Sequence, residues 1–206
     1  MGRPRFHNEE TAEALLRAAE AIVADGGPDA LSVRPVAQRA GTTTRAVYTL
    51  FESKDGLLAA LGNRAFEILG SLVADSPRTE DPAADLVNVM VRVFRGWALE
   101  HPALFRIGYA QDGIPPELED RYRPMRLRAS ADFAEFVSRG LGLEGGLANV
   151  EVLEATLKLN AMCEGLALLE LRGVLAPSRA EQIWREGLRA LVNGMIRDGA
   201  AGPEHL

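Results

Sequence analysis

A single cysteine, Cys163, stands among the 206 residues. That excludes an internal disulfide framework and any multi-cysteine metal site, and a reducing, cytoplasmic setting fits best. With no cation or helix N-terminus nearby, Cys163 reads as a small buried hydrophobe and not a redox thiol. His7, His101 and His205 are scattered without ligand spacing. Glycine-rich phosphate loops, paired carboxylates and nucleophile motifs are also missing, so no catalytic residue, metal or cofactor is expected. No stretch approaches the roughly 18–20 uninterrupted apolar residues of a membrane span, and no membrane partner is expected. The opening MGRPRFHNEE carries no apolar run behind its arginines, so no signal peptide is expected either. Sustained period-2 alternation of β-branched residues is absent, which predicts no sheet.

What remains is an ordinary globular balance, 47% hydrophobic and 25% charged. The net charge of −6 argues at first against a polyanionic partner. Its distribution changes that reading. Residues 1–64 carry eight basic and eight acidic side chains, so the whole deficit lies in residues 65–206. Arg34, Arg39, Arg45 and Lys54 face only Glu52 between Ser32 and Lys54. Lysine occurs only twice, which looks like coding bias and not mechanism.

Helical periodicity dominates. Ala12, Leu15, Leu16, Ala19, Ile22 and Val23 mark an amphipathic helix over 8–25, closed by Gly26-Gly27-Pro28. Ser32 looks like the N-cap of a short helix over 33–39, with Pro35 tolerated in its first turn. Gly41 breaks that helix, where a side chain is expected to crowd the backbone. Thr42 or Thr43 caps the next helix, whose inner face is Val47 and Phe51. Ser53 caps a fourth helix carrying Leu57, Leu58, Leu61, Ala65 and Leu69. Beyond the breaker-rich 75–82 segment, patterns follow over 83–100, 102–110, 116–141, 148–173 and 179–198.

The segment Ser32 to Leu58, SVRPVAQRAGTTTRAVYTLFESKDGLL, carries the chemistry. Two short helices about a glycine turn make a helix-turn-helix, whose second helix enters the DNA major groove. Its outward residues Thr43, Thr44, Arg45, Tyr48 and Thr49 suit base edges and phosphates better than the usual Glu, Lys and Gln of a solvated face. A structural helical hairpin is the plain alternative.

Ala40-Gly41-Thr42-Thr43-Thr44, Val47-Tyr48, Phe51, Ser53-Lys54 and Leu57-Leu58 together resemble the DNA-binding domain of the tetracycline-repressor (TetR) family. The likeness covers about residues 10 to 62, and the later run His101 to Arg106 is similar to many members. The resemblance implies an all-α fold of about nine helices. A three-helix helix-turn-helix with a connecting fourth helix occupies 1–72, and a helical ligand-binding and dimerisation bundle occupies 73–206. It implies Tyr48, Lys54 and Ser32 as phosphate contacts. Thr43, Thr44, Arg45 and Thr49 are left for base readout, Arg45 favouring guanine and the threonines thymine methyls. Arg3 and Arg5 are expected as a minor-groove arm or as a functionless tail.

In the C-terminal body, Met90, Phe94, Trp97, Phe105, Tyr109, Met125, Phe133 and Met162 are the candidate lining of an apolar effector site, although aromatic stripes at helical spacing also serve as plain core. A homodimer through the last two helices is expected, from a stripe of Leu153, Leu157, Ala161, Gly165 and Leu168 and another of Trp184, Leu188, Leu191 and Met195. Gly187 and Gly194 are expected to allow close helix approach there. The expected function is thus a repressor released from a palindromic double-stranded operator by a small, largely apolar molecule. A helical enzyme, or a protein-interaction module with an apolar cavity, is the rival.

Overall fold

The computed structural model describes residues 5–109 and 116–201. Among them there is no strand, and the helices follow one another as α1 (Arg5–Gly26), α2 (Val33–Arg39), α3 (Thr44–Phe51), α4 (Lys54–Ala74), α5 (Pro82–Asn88), α6 (Arg95–Glu100), α7 (Pro102–Tyr109), α8 (Pro116–Leu141), α9 (Val150–Leu171) and α10 (Pro177–Ala201). A π-helical turn over Val89–Phe94 joins α5 to α6 without a break. Counting that stretch once gives nine helices among the described residues.

The elements stop and start where side chains satisfy otherwise orphaned backbone groups. Asp81 caps α5 by accepting from Ala84 N at 3.0 Å, with Pro82 opening the helix. Asn149 caps α9 by accepting from Glu151 N at 2.8 Å. α4 is long and apolar enough to cross a membrane by length and composition alone. Its charged Arg64 is instead gripped by Glu13, and Leu57, Leu61, Ala65, Leu69 and Val73 are buried. This is the pattern of a core helix.

Packing divides the chain into two compact units. The first comprises Met1–Glu67 and His101–Arg126. Leu15, Ala19 and Val23 of α1 meet a core shared with Val36 and Ala37, Val47 and Phe51, and Leu57 and Leu61, all buried. α7 belongs to this unit and packs on α1. Its leading His101 places Nδ1 3.1 Å from Glu20 Oε1. Arg64 holds both oxygens of Glu13, at 2.5 and 2.9 Å. That bond lowers the Glu13 carboxyl below its ordinary range, against the opposing pull of burial. Phe66, Tyr109 and Phe105 form an aromatic row, with centroids 5.3 and 5.6 Å apart.

The second unit comprises Ile68–Glu100 and Leu127–Leu206. Trp97, Trp184, Phe136, Leu86, Met90 and Leu159 are fully buried in it, each contributing about 1.5–3 kcal/mol if credited at the usual transfer value. Two polar clusters tie its helices together. Arg95 donates to both oxygens of Glu170, at 2.7 and 2.9 Å, and Trp184 Nε1 donates to the same carboxylate at 2.9 Å. Buried Asp85 accepts from Thr79 N at 2.6 Å, from Thr79 Oγ1 at 2.8 Å and from Arg139 at 3.3 Å. The sequence expectation for Cys163 agrees with its position: it is buried, and desolvation drives its thiol far above the ordinary range.

Candidate nucleic-acid interface

α2 begins at Ser32, whose backbone is extended (φ −145°, ψ 146°) but whose hydroxyl makes no capping bond. Ser32 is exposed, so that hydroxyl faces solvent. α2 ends in a paired arrangement, with Gly41 N donating to Gln38 O at 3.2 Å and Thr42 N to Ala37 O at 2.9 Å. This termination requires a left-handed residue, and Gly41 supplies it at φ 65°. A Cβ at Gly41 would meet nothing within 4 Å. The backbone angle, and not the crowding expected from the sequence, is what calls for glycine.

Thr43 resolves the capping alternative: its Oγ1 accepts from Ala46 N at 3.2 Å. The helix it starts is sharply two-faced. Val47 and Phe51 are buried against the unit's core, while Thr44, Arg45, Tyr48 and Thr49 are exposed. Tyr48 is 55% exposed, which removes it from the core. Thr49 is more constrained than its exposure suggests, because its hydroxyl donates to Arg45 O one turn back at 2.8 Å.

The junction to α4 is tight. Glu52 has φ 69° and ψ −40°, and Ser53 N donates across it to Phe51 O at 2.8 Å, which makes a γ-turn. Ser53 Oγ then accepts from Gly56 N at 2.9 Å. Lys54 is thereby fixed, exposed, in the first turn of α4, two residues beyond Glu52. Gly56 escaped the sequence reading altogether. Its signal, a glycine three residues after a serine cap, marks a helix start but not the close backbone approach that demands it.

Among the described residues Arg34, Arg45 and Lys54 form no ion pair, whereas Arg39 lies 3.6 Å from Asp25. Three cations without an ion pair among the described residues, Arg34 on α2, Arg45 on α3 and Lys54 at the start of α4, therefore belong to this segment of a chain that is acidic overall. Beside them lies a cleft of about 440 Å³, walled by Asn8 and Thr11 of α1, Thr42 and Thr43 of the turn, and Arg45, Ala46, Thr49 and Leu50 of α3. The α1 wall was not anticipated. Thr44, Tyr48 and Lys54 lie outside the cleft lining, so the exposed residues fall into two sets. Arg3 and the side chain of Arg5 lie outside the described residues.

The candidate effector residues are divided by the packing. Met90, Phe94, Trp97, Phe133 and Met162 belong to the second unit, and Phe105, Tyr109 and Met125 to the first. Met90, Phe94, Trp97 and Phe105 are buried, while Tyr109, Met125, Phe133 and Met162 are half-buried. Phe94 touches both Trp97 and Trp184, at 6.1 and 6.4 Å between centroids. Met90 and Phe94 both sit on the π-helical turn.

The two helices expected at a dimer interface also separate. On α9, Leu153 and Leu157 are 40% and 59% exposed, and Val150 extends that stripe at 64%. On α10, Trp184 and Leu188 are fully buried within the unit. A Cβ on Gly187 would lie 2.5 Å from Met162 Cε, the flexible end of that side chain, so α10 comes close to α9 at this glycine within one chain.

Two families of sequence match the chain. Residues 15–61 match the bacterial regulatory proteins of the tetR family, and residues 87–191 match the tetracyclin repressor-like C-terminal domain. The HTH-type transcriptional regulator Rv1816 of Mycobacterium tuberculosis is 27% identical over 147 residues, which is 68% of this chain and 62% of that protein. The chain thus spans less than two thirds of the length of this relative. A tetR-family transcriptional regulator from Streptomyces coelicolor has a similar fold, with a TM-score of 0.70 and 21% identity over 94% of this chain and 86% of its own. A TetR variant from Acinetobacter baumannii, solved in complex with minocycline, gives 0.63 and 21% over 90% and 96%.

Proposed function

From its membership of the TetR family of bacterial regulatory proteins, which the matches to both domains establish, we propose that the chain is a cytoplasmic transcriptional repressor that binds a double-stranded DNA operator as a homodimer. The observation that carries this reading is the outer face of α3. A helix anchored by Val47 and Phe51 presents Thr44, Arg45, Tyr48 and Thr49 to solvent, with Lys54 exposed in the first turn of the next helix. Hydroxyls, a guanidinium, a phenol and an ammonium are donors suited to phosphate oxygens and to purine acceptors.

Two further parts belong to the proposal. The exposed Val150, Leu153 and Leu157 stripe on α9 supports pairing with a second copy, since a monomer rarely leaves such a row in water. Release by a small, largely apolar effector draws on the minocycline complex of the A. baumannii relative. It draws also on the π-helical turn, a local irregularity that often accompanies binding sites and here carries Met90 and Phe94. Binding of the full chain to duplex DNA across a salt series tests the reading. Phosphate contacts release counterions, so affinity should fall steeply with salt. Absence of DNA binding at low salt would overturn it. A small apolar compound that quenches tryptophan emission and also frees the duplex would identify the effector class.

A further inference from the structure

The α3 wall of the cleft consists of Arg45, Ala46, Thr49 and Leu50. All four carry methyl or methylene groups, and the one hydroxyl among them is already engaged, donating to Arg45 O at 2.8 Å. A threonine in a helix has two favoured χ1 rotamers, and the one that bonds back to the preceding turn commits the hydroxyl proton to the backbone. Thr49 then has no donor to offer a base. What it can offer a thymine, whose O4 is itself an acceptor, is its Cγ2 methyl, with Ala46 and Leu50 in the same cleft lining. Arg45, one turn away on the same face and free of any ion pair among the described residues, offers a forked donor.

We propose that Thr49 is a specificity-determining residue that reads a pyrimidine through its 5-methyl group and not through its hydroxyl. The feature recognised is a thymine next to the guanine that Arg45 engages. The inference rests on the operator-binding reading above. It sorts the exposed threonines by chemistry. Thr43 spends an acceptor lone pair on the helix cap and keeps its proton to donate. Thr49 spends its proton and keeps its methyl for a base. In the major groove, thymine differs from cytosine at C5 by that one methyl, and an apolar contact there distinguishes them without any hydrogen bond.

The test separates methyl from hydroxyl on both sides of the contact. The full chain is first used to select its preferred duplex from random DNA. Each thymine of the half-site is then replaced by uracil, which removes only the C5 methyl. Wild-type affinity should drop about fourfold at one thymine adjacent to the guanine, the effect of one buried methyl group. T49V keeps the methyl, loses the hydroxyl and should show the same drop. T49S keeps the hydroxyl, loses the methyl and should bind the thymine and uracil duplexes equally. A T49S protein that still discriminates, a T49V protein that does not, or a selected half-site without thymine beside guanine overturns the inference while leaving operator binding intact. Failure of the wild-type chain to select any sequence overturns the operator reading itself, and this inference with it.

Discussion

A Cβ placed on Gly56 would lie 1.9 Å from the carbonyl oxygen of Phe51. No side chain can occupy that position while the γ-turn at Glu52 holds α4 against the end of α3. The junction sets where Lys54 stands relative to the exposed face of α3. Gly56→Ala must therefore either break the turn or push the helices apart, with a loss of about 1–3 kcal/mol in stability. Operator affinity should fall with it. Gly96→Ala is the control, since an added Cβ there meets nothing within 4 Å. It should be neutral or stabilise by about 0.5–1 kcal/mol. Urea denaturation of both variants decides the point, and equal behaviour would contradict the account of the junction.

Substitutions around α3 should divide into two kinds. Lys54→Ala and Tyr48→Phe should weaken binding to all sequences alike, and Lys54→Ala should reduce the salt slope by about one ion. Arg45→Ala should instead relax one base pair per half-site, costing roughly 1–3 kcal/mol against the best site. Binding profiles over a library of duplexes read both. A change of preferred base on losing Lys54, or an unchanged motif on losing Arg45, would reverse the assignments.

Asp85 makes stability depend on pH in a known direction. Burial pushes its carboxyl up, but the bonds from Thr79 N and Oγ1 and from Arg139 outweigh that and leave it lowered. A lowered folded value means that the stabilisation is complete above the unfolded carboxylate range near ~4 and is lost as pH falls through the folded value. Asp85→Asn should therefore cost about 1–3 kcal/mol at neutral pH. The gap to wild type should close in acid. Melting curves between neutral pH and strong acid would show it, and a gap that widens in acid would contradict the sign.

Leu157 is more than half exposed at the middle of the α9 stripe. Leu157→Glu should leave the fold intact, because it replaces no core contact, yet it should prevent pairing with a second copy. Sedimentation would then report a monomer, and operator affinity should fall by orders of magnitude as half of the contacts are lost. A dimer that survives this change places the interface elsewhere.

Much of this arrangement was legible in the residues, and the gaps have physical causes. The bounds of α2 and the caps at Thr43 and Ser53 follow from local chemistry, since glycine, serine and threonine act on backbone groups within a few residues. The inward Val47 and Phe51 follow from helical period. Long-range packing left less trace. Nothing in the periodicity of 102–110 shows that α7 packs with α1, through His101 and Glu20, and not with its sequence neighbours. Trp184 and Leu188 fit an apolar stripe equally well whether a partner chain or the same chain covers them, and here the same chain does. The bond from Thr49 to Arg45 is a rotamer choice that residue identity leaves open.

The central claim is that two copies of the exposed α3 face read DNA. Selection of bound sequences from random duplex DNA by the full-length chain tests it most directly. The account predicts an enriched near-palindrome with a guanine in each half-site and half-site centres about 10–10.5 base pairs apart, or a multiple of that spacing. With Arg45→Ala and Tyr48→Phe combined, the guanine should drop out of each half-site and affinity should fall for every sequence. Recovery of no motif, or of a single asymmetric site that survives the double substitution, would contradict it.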